Sequence, residues 1–429
     1  MRGSSFSGFA TGDQIVFYNI GPALEGTGPT YNTGSGKLTF TLNGINYSLN
    51  ASTADGLNDT FQFVTYGGYV AVQDTAIPCF VTGARILTAR GEVPVEGLRV
   101  GDQAMALLAG GLRRIRWIGH RRLDLRTHPK PETVHPISVS AGAFADGSPH
   151  RDLWLSPGHF VFVDGVLIQI SKLVNGATIV QVPRHEVTYW HVELDQHDVL
   201  LAEGLQVESY LDTGNRNAFA NAESFVELHP DFMPKHWTET CAPLAMSGPQ
   251  ITAVQARLLR RATEELGYAI TYDCDLHLVV DGQIVSACEA EIGQYRFGLP
   301  AGASDIRLMS RVSVPAHMVP GSHDTRPLGV RVSRIRLDDA HSVPLDRPDL
   351  DDGWHGLESD DIATWRWTAG AARLPAGART ISIELIGDRT YTYWDRAALC
   401  GTESSHAIES PFLRTAPPSD YANCARPAA

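Results

Sequence analysis

The feature that most constrains this chain is its punctuation: short apolar runs are cut off again and again by Gly, Asn-Gly or Asp-Gly. Lys37-Leu-Thr-Phe-Thr-Leu42 alternates in character and is closed by Asn43-Gly44 before Ile45, the signal of a tight hairpin. Thr60-Phe-Gln-Phe-Val64 alternates likewise. Val93-Pro-Val-Glu-Gly-Leu-Arg-Val100 and Leu167-Ile-Gln-Ile170 follow, among Gly91, Gly101, Asp164-Gly165 and Asn175-Gly176. Beyond them come Leu276-His-Leu-Val-Val280 with the Asp281-Gly282 turn, Ile306-Arg-Leu308, Val330 to Leu337, and Ile381-Ser-Ile-Glu-Leu385. Strands at roughly 8–12-residue spacing with turn signals between them predict a mainly β chain, with a compact, folded-over β unit in its middle zone. One helix stands out. Val254, Leu258, Leu259, Ala262 and Leu266 share a face, and Gly267 is placed to stop it.

Composition sets outer limits. The 429 residues are 43% hydrophobic, enough to bury a real core, and carry 35 Lys+Arg against 48 Asp+Glu, a formal charge of −13. An acidic chain with no Lys/Arg run is a poor partner for nucleic acid or an anionic membrane surface. No run of about 18 apolar residues is present, so no membrane span is expected. Met1 to Ala10 lacks the basic and apolar regions of a Sec-type signal peptide, which leaves the compartment unknown and secretion by another route open.

Three zones follow from the local composition. Residues 1–78, rich in Gly, Asn, Thr and Ser, read as a small antiparallel β segment with no acid–base or metal constellation. Residues 79–221 read as a compact β unit, ended by the polar run Asp212-Thr-Gly-Asn-Arg-Asn217. Residues 222–429 hold a polar connector, the helix, resumed strands, a Trp-rich stretch (Trp354, Trp365, Trp367) and a loose tail after Pro411.

Of six cysteines, Cys79 stands alone, with Cys241, Cys274, Cys288, Cys400 and Cys424 far behind and no C-x-x-C pair. That is too sparse for a disulfide scaffold and offers no zinc knuckle. A lone Cys is ordinarily a small buried hydrophobe, so only its context can raise it to a nucleophile.

The context is this. Cys79-Phe80-Val-Thr-Gly-Ala-Arg-Ile-Leu-Thr88 is followed by Val95-Glu-Gly-Leu-Arg-Val-Gly-Asp102. Leu155-Ser-Pro-Gly-His159 comes next, and then Tyr189-Trp-His-Val-Glu-Leu-Asp-Gln-His-Asp-Val-Leu-Leu-Ala202. These four stretches, in this order, resemble a bacterial Hint domain, the self-processing module shared by hedgehog proteins and inteins. The resemblance covers about a third of the chain, residues 79–221.

It implies a specific chemistry. A nucleophile at the start of a domain can attack the carbonyl before it, here Pro78, and convert the peptide into a thioester by an N-to-S acyl shift. The shift is uphill, so the amide must be distorted and its nitrogen protonated as it leaves. Ser156 matches the usual Thr of the family's Thr-x-x-His block and would hold the carbonyl oxygen or the amide. His159 would donate the proton to the departing Cys79 nitrogen. His197-Asp198 falls where inteins carry His-Asn, and His197 is read as assisting. His191 lies near where many inteins hold an Asp, with a structural role an equal alternative. Asp102 recurs in the family as a turn residue and is read as structural. No cofactor and no metal are expected.

Two departures narrow the activity. Splicing needs a C-terminal Asn followed by Cys, Ser or Thr. Asn215 precedes Arg216, Asn217 precedes Ala218 and Asn221 precedes Ala222, which argues against full splicing. The ring of Pro78 crowds the carbonyl under attack, which favours water or a small thiol as the final acceptor. The sterol-binding extension of animal hedgehogs has no visible counterpart.

Other enzyme readings fail on spacing. His185-Glu186 is followed by Tyr189 rather than His, so the zincin pattern is missing. His185, His191 and His197 lie six apart, about 20 Å between neighbours on one strand, too far for a shared metal. Walker-A, dinucleotide and G-x-S-x-G signatures are absent. Arg326-Pro-Leu-Gly-Val330, Gly353-Trp-His355 and Trp365-Arg-Trp-Thr368 resemble a β-sandwich module of bacterial glycan-handling proteins, in which an exposed Trp would stack on a sugar face.

The expectation is therefore a protein that cleaves its own Pro78–Cys79 bond once, in cis, with its N-terminal segment as substrate. The alternative is a surface or glycan-binding protein whose Hint unit is a degenerate scaffold.

Overall fold

The structure is a computed structural model. It describes residues 77–128, 131–212, 216, 219–221, 239–387 and 392–395, together with strands between Ser5 and Thr75. The chain is mainly β and divides into two compact units, Met1–Glu265 and Leu266–Ala429. Among the described residues no helix is long and apolar enough to cross a membrane.

In the first unit the N-terminal strands make two small sheets. One runs Ser5–Phe9, Ile45–Thr53, Lys37–Leu42, Thr30–Asn32, and the other Gln14–Tyr18, Tyr69–Thr75, Thr60–Tyr66. Lys37–Leu42 and Ile45–Thr53 pair antiparallel with Leu42 opposite Ile45, the pairing expected of the Asn43-Gly44 hairpin, although those two turn residues lie outside the described ones.

The main sheet begins at Phe80. Its order is Ile179–Gln181, Ile137–Val139, Leu153–Leu155, Phe80–Val81, Glu186–Leu194, Gly111–Asp124, Gln103–Ala106, Arg85–Thr88, Val199–Ala202, Leu205–Glu208, Phe160–Val163, Val166–Gln169 and Leu244–Ala245. The long strand Gly111–Asp124 is what folds it over. Residues 111–114 pair with Gln103–Ala106, residues 115–124 pair with Glu186–Leu194, and a bulge at Ile115/Trp117 lies between the two registers. The fold closes on a core that includes Phe80, Ile86, Ile115, Ile137, Leu153, Leu155 and Ile168.

Two sequence expectations change here. The run Val93–Val100 is not one strand: Gly91–Pro94 is extended, and Val95–Gly97 forms a 3₁₀ turn in which the Val95 N–H bonds the Ala84 carbonyl. Pro94, with no N–H to continue the ladder, sits at the break. The helix, Pro249–Glu264, falls in the C-terminal zone by composition but packs as part of the first unit. Ile251, Val254 and Leu258 enter the same core as Ile168 and Leu173, Gln255 Nε2 donates to the Lys172 carbonyl at 2.8 Å, and Arg261 Nε donates to the Gly142 carbonyl at 2.6 Å. An amphipathic pattern says that one face is buried but not against what.

The second unit is built mainly of β-strands. A four-stranded sheet (Gln283–Val285, His277–Val280, Ile306–Met309, Ala371–Leu374) and a seven-stranded one built around Thr380–Leu385 and Arg331–Leu337 share one core of Leu278, Ile306, Leu308, Phe297, Val332, Ile381 and Ile383. Trp354, Trp365 and Trp367 are buried. The Arg331 guanidinium lies 4.9 Å from the Trp365 ring and 5.6 Å from that of Trp367. The tail after Pro411 lies outside the described residues.

Candidate functional site

Cys79 ends the approach to the main sheet, and its neighbour Phe80 begins it. The two-residue strand Phe80–Val81 lies between Leu153–Leu155 and Glu186–Leu194, with Phe80 opposite Leu155 on one side and Trp190 on the other. One flanking strand therefore runs straight into Ser156, and the other carries His191. Residues 77 positions apart meet through this pairing.

The contacts around the Pro78–Cys79 bond are specific. The Cys79 N–H donates to Ser156 Oγ at 2.7 Å, and Ser156 Oγ–H donates in turn to the Ile77 carbonyl at 2.8 Å. The Ser156 N–H donates to the Cys79 carbonyl at 2.8 Å. Of the two roles expected for Ser156, the hydroxyl takes the amide and leaves the Pro78 carbonyl alone. That carbonyl belongs to a buried residue and accepts no hydrogen bond among the described residues.

His159 follows the Ser156-Pro-Gly turn, which is closed by the His159 N–H on the Ser156 carbonyl at 3.1 Å. Its ring packs 4.5 Å from that of Phe80 and 5.1 Å from that of His191. Cys79 and His159 are both 0% exposed. Burial pushes the Cys79 thiol up to about 12; the Arg121 charge works against that rise and the Glu208 carboxylate adds to it. Burial pushes His159 down to about 4, against an opposing pull from the backbone of Cys79 and Glu208. Neither ring nitrogen of His159 completes a hydrogen bond among the described residues. At rest both the thiol and the imidazole are neutral.

His191 is equally buried, with both ring nitrogens unpaired among the described residues and its protonation disfavoured first by burial, then by His159 and His197. His197 stands behind these two. Its Nδ1 accepts the Cys241 N–H at 2.9 Å, and its Nε2 lies 3.4 Å from Glu208 Oε2, an approach that brings charge close without a well-aligned hydrogen bond. The spacing argument from a single strand does not hold between His191 and His197, because the strand ends at Leu194 and the chain turns before Val199. Asp198 is an anchor: its carboxylate accepts the N–H groups of Leu108, Ala109 and Val199.

Sequence reading missed two members of this neighbourhood. Glu208 is a buried carboxylate whose Oε1 accepts the Phe160 N–H at 3.0 Å, and burial raises its pKa. Cys241 is half-buried, its thiol pushed up to about 12 by burial and then by Glu208 and Asp198. Neither carries a motif around it.

The remaining candidates are structural. Asp102 closes a turn by accepting the Arg99 N–H at 2.9 Å and Arg90 Nη2 at 2.6 Å. Asn221 clamps the strand Gly111–Asp124, accepting the His120 N–H and donating to the Ile118 carbonyl. Asn215 and Asn217 lie outside the described residues. Glu92, His150 and Glu203 bring ligand-type atoms within 4.8 Å of one another, but Arg151 Nη2 already holds the Glu203 carboxylate at 2.7 Å and the Arg85 N–H bonds its other oxygen.

A family model for the Hint domain matches residues 78–214. A search of curated proteins matches none. Among solved structures, the gp41-1 intein is 11% identical with a TM-score of 0.23, covering 31% of this chain and 98% of its own. A bacterial intein-like domain from Clostridium thermocellum is 14% identical with a TM-score of 0.23, covering 32% of this chain and 100% of its own. The MchDnaB-1 intein is 14% identical with a TM-score of 0.23, covering 30% and 99%.

Proposed function

We propose that the Hint domain carried by this chain over residues 78–214 is a cysteine-dependent self-processing unit that breaks the Pro78–Cys79 bond. The observation that carries the reading is the hydrogen bond from the Cys79 amide to Ser156 Oγ, made beside a buried, neutral His159.

The neutral state of His159 refines its role. It takes the proton from the Cys79 thiol, and Sγ attacks the Pro78 carbonyl carbon, whose π electrons move onto oxygen. When the oxyanion collapses, the C–N bond breaks and the imidazolium returns the proton to the Cys79 nitrogen. A C–S bond has replaced a C–N bond, and one proton has moved from sulfur to nitrogen. Ser156 Oγ holds the N–H and with it the orientation of the bond that breaks. Water or a small thiol then resolves the thioester, in keeping with a site whose thiol is fully buried. His197, held by Cys241 and beside Glu208, assists from behind by setting the charge around His159.

The carbohydrate-binding alternative draws no support from Trp354, Trp365 and Trp367, which are buried and therefore offer no open face to a sugar.

The test is a gel of the purified chain with and without thiol or hydroxylamine. Cleavage after Pro78 gives fragments of about 8 and 38 kDa from the 46.6 kDa chain, and Cys79→Ala stays intact. Cleavage that persists in Cys79→Ala, or a wild type inert to both reagents, overturns the reading.

A further inference from the structure

Two polar groups on the sheet face that carries Cys79 have no hydrogen-bond partner among the described residues. One is the Pro78 carbonyl oxygen, buried and without a hydrogen bond among the described residues. The other is Arg121. The residue is 9% exposed, and its Nε is buried with no hydrogen-bond partner among the described residues. A buried donor is ordinarily paired, because leaving it without a partner is costly.

The register explains where it points. Arg121 stands opposite Tyr189, and Tyr189 stands opposite Val81. Directly opposed residues in antiparallel strands share a face, and residues two apart along a strand do so as well. Arg121, Tyr189, Val81 and Cys79 therefore lie on one side of the sheet, the side on which Cys79, Leu123, Val187 and Tyr189 form an apolar cluster. Arg122, one position on, faces outward and pairs with Glu186 at 2.5 Å on the exposed surface.

The other groups there are committed or uncharged. The Tyr189 hydroxyl donates to the Val134 carbonyl at 2.7 Å, and His191 is kept neutral. Glu208 is the wrong sign for stabilising an anion, and its carboxylate raises the Cys79 thiol while Arg121 lowers it.

We propose that Arg121 is the electrostatic partner of the acyl shift, stabilising the negative charge as it passes from Cys79 Sγ to the Pro78 carbonyl oxygen. The proposal rests on the self-processing reading for its rate effect, but its charge pairing with position 79 is independent of cleavage. Both anions form in one apolar pocket, where a fixed cation is worth far more than in water and need not reorganise during the reaction. Lysine keeps the charge at that position, whereas glutamine keeps only size and polarity.

The experiment has two arms on the full chain. In the first, hydroxylamine cleavage is timed for wild type, Arg121→Lys and Arg121→Gln. Arg121→Gln is expected to slow it roughly 10²–10³-fold with the melting profile of a folded protein, and Arg121→Lys to recover most of the loss. In the second, Cys79→Asp puts a carboxylate where the thiolate would form, and its 13C shift is titrated with Arg121 present or replaced by Gln. Arg121 should hold that carboxylate lower by about one pH unit or more. Equal cleavage rates for wild type and Arg121→Gln, or equal titrations in the two backgrounds, overturn the proposal. A shifted titration in a chain that never cleaves sinks the self-processing reading and leaves the charge pairing standing.

Discussion

Cys79 and Ser156 hold each other by two hydrogen bonds: Cys79 N–H to Ser156 Oγ at 2.7 Å, and the Ser156 backbone N–H back to the Cys79 carbonyl at 2.8 Å. Because Ser156 Oγ also donates to the Ile77 carbonyl, one hydroxyl ties together both ends of the dipeptide that flanks the Pro78–Cys79 bond. Ser156→Ala removes it and leaves a buried N–H and a buried C=O without partners. Urea unfolding should show a loss of roughly 1–3 kcal/mol. Ser156→Thr, which keeps the hydroxyl, should restore most of it. An Ala variant as stable as wild type would show that the hydroxyl contributes nothing.

Titration of His159 gives a pH dependence of defined sign. Its folded pKa, about 4, lies below the ordinary 6.5, so the unfolded chain binds the proton first as pH falls. The stability linked to His159 is complete above about pH 6.5 and is lost between there and about 4, a change on the order of 3 kcal/mol. Glu208 acts in the opposite sense. Burial raises its pKa, so the folded state takes up that proton first. The difference between wild type and His159→Gln isolates the histidine. The melting temperature of the variant should fall less steeply from pH 7 to 5, and parallel curves would rule the linkage out.

How much of this was legible in the sequence depends on where each residue's role comes from. Cys79, Ser156 and His159 stand in short local patterns, a Cys-Phe start and a Ser-Pro-Gly-His turn, and strand pairing brings the two patterns together. Arg121 is different. In Arg113-Arg114, Arg116 and Arg121-Arg122 the strand looks like a solvated basic face. Only the alternation Ile115, Trp117, Gly119, Arg121, Leu123 would have marked Arg121 as the charge on the inward side. Glu208 and Cys241 had no such signal, because their neighbours arrive from Phe160 and His197 through tertiary contacts.

The helix Pro249–Glu264 predicts where the chain can be cut. Leu258 and Val254 pack in the core of the first unit, so Leu258→Ala should cost that unit about 2–5 kcal/mol by leaving a cavity. A fragment of residues 1–265 should melt cooperatively, whereas one of residues 1–221 should expose the apolar seat of the helix and aggregate. The second unit, residues 266–429, should melt cooperatively by itself, since its own two sheets enclose its core. A well-folded 1–221 fragment would return the helix to the C-terminal zone.

Gly119 is the position at which packing and chemistry are joined. It stands directly opposite His191, and a methyl group there would lie 2.2 Å from Trp117 Cη2 and 2.7 Å from Phe219 Cδ1. The indole has little freedom to yield, because the Arg216 guanidinium lies 4.1 Å from its ring, Tyr210 lies 5.1 Å away and Phe219 5.0 Å. From Tyr210 the contacts continue to His191 at 5.1 Å and from His191 to His159 at 5.1 Å. A displaced Trp117 therefore pushes along a line of touching rings that ends at the imidazole beside Cys79. Gly119→Ala should destabilise the first unit by about 1–3 kcal/mol and slow hydroxylamine cleavage beyond what the stability loss explains at temperatures where the protein stays folded. Gly356→Ala, in the second unit and with nothing within 4 Å of the added methyl, should leave both measurements unchanged. A Gly119→Ala protein that melts and cleaves like wild type would mean that the rings around Cys79 move independently of one another.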